Sequence, residues 1–112
     1  MPSGTQFYEI NRISLVAKGE GVQVREMEVA ISEEVPWHFH SEITDYCYCL
    51  KGTVRVELAG ETEQSATTLL LSPGEKCIIP PNCRHRITCA AEDVATYLLI
   101  QAGGKYDFNL IK

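Results

Sequence analysis

No apolar run in this sequence is long enough to cross a bilayer as a helix. The longest, such as Tyr97 to Ile100, fall far short of the roughly 20 residues that such a helix needs. Membrane insertion is therefore not expected. The opening residues Met1-Pro2-Ser3-Gly4-Thr5 lack the basic start and apolar stretch of a secretory signal, so the expected compartment is the cytoplasm. Positive charge is scarce as well: 10 Lys and Arg stand against 15 Asp and Glu, for a formal charge of −5. The basic residues are scattered, without the cluster that grips phosphate backbones, and no nucleic-acid partner is expected. The 5 cysteines, at 47, 49, 77, 83 and 89, include no C-x-x-C pair. An odd number so spaced fits neither a disulfide framework nor a zinc knuckle, which predicts reduced thiols. Helical stripes are missing too.

What is present is a folded chain of ordinary composition. With 112 residues, 45% hydrophobic and 22% charged, it is long enough for one core and too short for two, so a single domain over 1–112 is expected. Glycine and proline punctuate it often, and between them the apolar residues are β-branched or aromatic and tend to alternate. Strands are predicted at 13–17, 22–31, 37–40, 45–50, 53–58, 65–71, 76–79, 85–89 and 94–101, an all-β pattern suited to a sandwich or barrel. Gly19 with Gly21, Ala59-Gly60 and Ser72-Pro73-Gly74 read as turns. Along the second strand the apolar positions change phase after Val24, which predicts a bulge near Arg25 or Glu26. Only the first residues and the tail after Gly103-Gly104 read as loose.

The chemistry concentrates in three histidines. In His38-Phe39-His40 the strand period of two points both imidazoles to one face, where they can grip a single ion. Asp45 follows at the start of the next strand and can complete a chelate. His85 follows the turn Pro80-Pro81-Asn82, and a barrel that closes would bring it to the first pair. Imidazole with carboxylate suits one divalent transition metal ion such as Fe, Ni, Mn, Zn or Cu.

These residues resemble the cupin superfamily. Pro36-Trp37-His38-Phe39-His40, then Asp45, then Gly52, is similar to the first cupin motif. Gly74, Pro80-Pro81-Asn82 and His85 are similar to the second, 21 residues from Thr53 to Pro73 lying between them. The motifs fall within 36–89. The resemblance implies a double-stranded β-helix, a jelly-roll-like barrel, with the metal on His38, His40 and His85, joined by Asp45. Three positions depart from the pattern. The family most often has glutamate where Asp45 stands, and the lost methylene shortens the reach by about 1.5 Å, so ligation through a water is open. Asn82 replaces a glycine, and asparagine tolerates positive φ. Cys89 replaces an asparagine.

By alternation Cys47 and Cys49 share the face of Asp45, and Cys89 that of His85, either as soft groups lining the pocket or, the favoured reading, as compact packing. Tyr46, Tyr48 and Leu50 then face outward. Either a second sheet, a terminal segment or a partner covers that face, or a bulge at Gly52 flips the phase, leaving Arg55 and Glu57 on the surface. Small cupins commonly pair, which implies a homodimer. Tyr106-Asp107-Phe108 faintly resembles the pocket-covering tail of small sugar-processing cupins, against the plainer reading of a solvated tail.

Fold does not fix reaction. The first expectation is an enzyme of isomerase or lyase type, its ion a Lewis acid on a small oxygenated metabolite such as a keto or hydroxy acid or a sugar derivative. No proton-transfer residue is named. A non-heme iron dioxygenase is the enzymatic rival, and a non-catalytic ligand-binding or sensing module is the alternative from a different class.

Overall fold

The computed structural model describes residues 8–60 and 65–111; the opening residues, expected to be loose, lie outside them. Its regular elements are strands: β1 Arg12–Gly19, β2 Val22–Ala30, β3 Glu34–Phe39, β4 Thr44–Lys51, β5 Val54–Leu58, β6 Thr67–Leu71, β7 Lys76–Ile79, β8 His85–Cys89, β9 Val94–Ala102 and β10 Asn109–Leu110. Among the described residues no helix is long and apolar enough to cross a membrane. Two five-stranded sheets, ordered β1-β2-β9-β4-β7 and β10-β3-β8-β5-β6, pair antiparallel throughout. The double-stranded β-helix expected from the sequence is the fold.

The core lies between the sheets, because alternation lets each strand bury one row of side chains. Met27 and Val29, Cys47 and Cys49, Val54 and Val56, Ile79, Ile87, Ala95, Tyr97 and Leu99 form it. β4 buries its odd-numbered residues and β5 its even-numbered ones. The switch occurs between them: the register of β4 against β9 shifts between Cys49 and Lys51, and at Gly52 φ is +73°. Arg55 and Glu57 accordingly face away from the core, Arg55 donating to Thr88 and Glu57 accepting from Arg86, as the phase-flip reading predicts.

Two details of phase differ from expectation. β2 runs against β9 in unbroken register from Val22 to Ala30, so no bulge interrupts it at Arg25 or Glu26. The irregularity sits on β1, where Leu15 pairs with Arg25 and Ala17 with Val24. The inner row of β2 simply becomes polar at the barrel mouth, with Arg25 above Met27 and Val29. The second detail is in β3: Val35 pairs with Ile87 but His38 with His85, an extra residue on the β3 side. Pro36 has no N–H to give to a ladder and is tolerated at such a bulge. The bulge brings Val35, His38 and His40 all to the interior.

The tail after Gly103-Gly104 is ordered against the barrel, contrary to the solvated reading. β10 pairs with β3, Asn109 opposite Phe39 and Leu110 opposite His38.

A Cβ on Gly52 would lie 2.6 Å from the Val94 carbonyl oxygen, whereas one on Gly21, also left-handed at φ +72°, would meet nothing within 4 Å. Gly21→Ala should therefore cost about 1–2 kcal/mol from backbone conformation alone, and Gly52→Ala clearly more. Denaturant unfolding of both variants checks this; equal losses would contradict the close approach at Gly52.

Candidate metal centre

The antiparallel pairing of β3 with β8 sets His38 directly opposite His85, and their rings lie 4.1 Å apart by centroid. His40, two residues along, is 4.9 Å from His38 and 5.6 Å from His85. Asp45 comes from the opposite sheet, on β4. Its Oδ2 stands 3.3 Å from His40 Nε2 and 3.2 Å from His85 Nε2. All four side chains are buried, and one ligand atom from each lies within 4.8 Å of the others. The four sequence-predicted residues thus converge as a group that could hold a metal ion.

Backbone carbonyls fix the rings. Nδ1 of His38 is 2.6 Å from the Pro36 oxygen, Nδ1 of His85 2.9 Å from the Cys83 oxygen, and Nδ1 of His40 2.5 Å from the Asp107 oxygen. Each Nδ1 must donate to its carbonyl, so in the neutral ring Nε2 carries a lone pair. Nε2 of His40 and of His85 is buried with no hydrogen-bond partner among the described residues. Both lone pairs face the ionised Asp45 oxygen, an arrangement that is repulsive unless a proton or cation lies between them. Two ligands each about 2.1 Å from one ion sit roughly 3.0–3.4 Å apart, and the Asp45 separations match. At these separations the shorter acid lies within reach of an ion that the imidazoles would hold.

Burial, reinforced by His85, pushes the His38 pKa down to about 3. That imidazole is neutral at physiological pH and has no proton to lose before accepting an ion. Burial opposes charge on His40 also, but the facing Asp45 outweighs it and raises that pKa. Burial likewise disfavours the Asp45 carboxylate, yet the facing imidazoles of His40 and His85 hold its pKa below the usual range.

Behind Asp45 stands Gln101, which sequence reading did not single out. Its Oε1 accepts from Gln23 and Arg25, at 2.7 and 2.8 Å. Its amide nitrogen is thereby turned to Asp45 Oδ1, at 3.1 Å, leaving Oδ2 for the centre. Tyr8, Arg25 and Tyr97 also line the pocket. A polar residue in the inward phase of an otherwise apolar strand was the available signal for Arg25 and Gln101.

The C-terminal segment closes the mouth. Phe108 stacks on His38, centroids 4.3 Å apart and planes at 16°, and Tyr106 lies 5.6 Å from His40. The Asp107 carboxylate accepts from Ser41 N and Oγ and from Asn109, so it ties the tail down rather than serving as an acid in the pocket. The enclosed space measures about 10 Å³ for the centre of a water-sized sphere, room for about one water. Cys47, Cys49 and Cys89 belong to the core and not to this pocket. The thiols of Cys49 and Cys89 donate to carbonyls of Lys51, Gly52 and Ala91, in keeping with packing.

Protein purified without added metal or an affinity tag should carry about one transition metal per chain by elemental analysis. His38→Ala and His85→Ala should lose it, and Gln101→Leu should weaken affinity about 10- to 100-fold through a misoriented Asp45. Full occupancy in either histidine variant would refute the assignment.

Residues 25–101 match the family model of the cupin domain. No curated protein matches the sequence. Among solved structures the chain is similar to an oxalate oxidase, at 18% identity and TM-score 0.73 over 82% of this chain and 47% of that one. It is also similar to the oxalate decarboxylase of Lactobacillus farciminis in its formate complex, at 16% identity and TM-score 0.70 over 81% of this chain and 27% of that one. A conserved protein with a double-stranded β-helix domain from Klebsiella pneumoniae subsp. pneumoniae MGH 78578 aligns at 17% identity and TM-score 0.75, over 90% and 84% of the two chains. The chain spans about half the length of the oxalate oxidase it matches, and at these identities the likeness is one of fold. With both motifs inside the matched segment and the two-sheet barrel around them, the chain belongs to the cupin family.

Proposed function

We propose that this cupin is a metal-dependent enzyme acting on a small oxygenated metabolite, with His38, His40, His85 and Asp45 as the ligands of one divalent transition metal ion. One observation carries the reading: the buried Nε2 atoms of His40 and His85, without a hydrogen-bond partner among the described residues, both converge on one Asp45 oxygen, at 3.3 and 3.2 Å. When bound, such an ion supplies Lewis-acid stabilisation to a chelating hydroxy-carbonyl group. The chain's own residues do the rest. Gln101 holds Asp45 in place, the three carbonyls hold the imidazoles, and Tyr106 with Phe108 shields the site from bulk water. Oxalate-acting cupins among the structural neighbours make small oxygen-rich acids the first substrates to try.

The small closed pocket favours a second reading, a binding or sensing module in which the metal is structural. Phe108→Ala, which uncovers His38, separates the two. An enzyme whose substrate enters past the tail should turn over members of a small-acid and sugar panel, and the variant should alter KM. A structural centre should show no turnover, only faster metal loss to a chelator. Iron content together with oxygen uptake would reassign the chemistry to a dioxygenase.

The outer face of the β1-β2-β9-β4-β7 sheet supports a homodimer. Ile78, Tyr46, Ile100 and Val24 lie in one row across it, and Ile78 is 52% exposed; such an apolar stripe gains by being covered. Light scattering should give a dimer for the native chain, and Ile78→Glu should yield monomer with its metal retained. A monomeric native protein would remove this partner.

A further inference from the structure

Arg25 projects from the inner row of β2 into the same pocket as His38, His40 and Asp45. A cation turned into a barrel is costly unless it is paired. Among the described residues no carboxylate pairs with it. Asp45, the acid of this pocket, is engaged by Gln101 and the imidazoles. The guanidinium rests on Gln101 Oε1 through Nη2, at 2.8 Å, and lies over the Tyr106 ring, 5.7 Å from its centroid. Among the described residues its buried Nε has no hydrogen-bond partner, and neither has the hydroxyl of Tyr97, fully buried in the same pocket. Two donors are thus left without acceptors beside the candidate metal centre.

We propose that Arg25, with the Tyr97 hydroxyl, binds the carboxylate of the ligand, so that this site selects small keto or hydroxy acids over neutral sugars. The inference rests on the metal-site reading above and narrows its substrate class. Charge supports it: one carboxylate and one guanidinium cancel, so a divalent ion held there would leave the pocket with an excess of positive charge. An anion removes that excess in a region of low dielectric. The approach fits as well. A cleft of about 350 Å³ adjoins the pocket, sharing Gln101 and Tyr106 with it, and its wall includes Lys18 and Lys105. In a chain of net charge −5, two lysines at this mouth give an anion a locally favourable path. The carboxamide of Gln101 bridges the guanidinium and Asp45, so an acid of about two to four carbons would span arginine and ion once the segment from Tyr106 to Phe108 moves off the pocket, which as closed has room for about one water. Bidentate pairing through Nε and a terminal nitrogen is the geometry in which arginine holds carboxylates.

The test is titration calorimetry of the metal-loaded chain with glycolate, lactate, pyruvate and malonate, each against its primary amide. Arg25→Gln and Arg25→Lys are compared with the native protein, and metal content is measured on every sample. At least one acid should bind about tenfold or more tightly than its amide. Arg25→Gln should remove that preference in samples loaded to the same metal content, and Arg25→Lys should keep part of it. Equal binding of acids and amides by the native chain, or a preference that survives Arg25→Gln, would overturn the proposal and leave the metal site standing. Absence of metal from the native protein would instead overturn the reading on which it rests.

Discussion

The pairing of β3 with β8 is the constraint on which the rest depends. It sets His38 opposite His85 across one ladder and commits two imidazoles, with His40 beside them, to a shared interior. Such groups are tolerated there only if every polar atom is satisfied. Three Nδ1 atoms meet that demand on carbonyls of Pro36, Asp107 and Cys83. The Nε2 atoms of His40 and His85 do not. With His38 and Asp45 they form the group that could hold a cation.

Around this centre the chain arranges a graded environment. Below it the barrel is apolar and filled, with Met27, Ile87 and the cysteines in contact with the core. Level with it, Gln101 passes the orientation set by Gln23 and Arg25 to Asp45. Above it, the segment from Tyr106 to Phe108 closes the opening, and a carbonyl of that same segment holds His40. Cover and ligand orientation are therefore coupled: moving the tail frees both the space over the imidazoles and the Nδ1 of one of them.

Much of this was legible in the residues. Alternation placed Asp45, Cys47 and Cys49 on one face, the H-x-H spacing placed His38 and His40 together, and Asn82 adopts the positive φ, 66°, that its place in the second motif implies. Short-range pattern suffices for such features because strand geometry repeats every two residues. It failed wherever a neighbouring strand set the phase. The polar Arg25 in an apolar row read as a bulge, although β2 is regular and the polarity belongs to the barrel mouth. The bulge at Pro36 passed unseen, because its sign is a register against β8.

The amino-acid sequence by itself determined the all-β class, the shared face of His38 with His40 and that of Asp45 with Cys47 and Cys49, all of which follow from residue type and local period. The tertiary structure alone decided that His85 closes on His38, that Gln101 aims Asp45, that Arg25 lies inside, and that the tail pairs with β3 over the site. These are contacts between segments tens of residues apart, fixed by strand order and register, and no spacing along the chain encodes them.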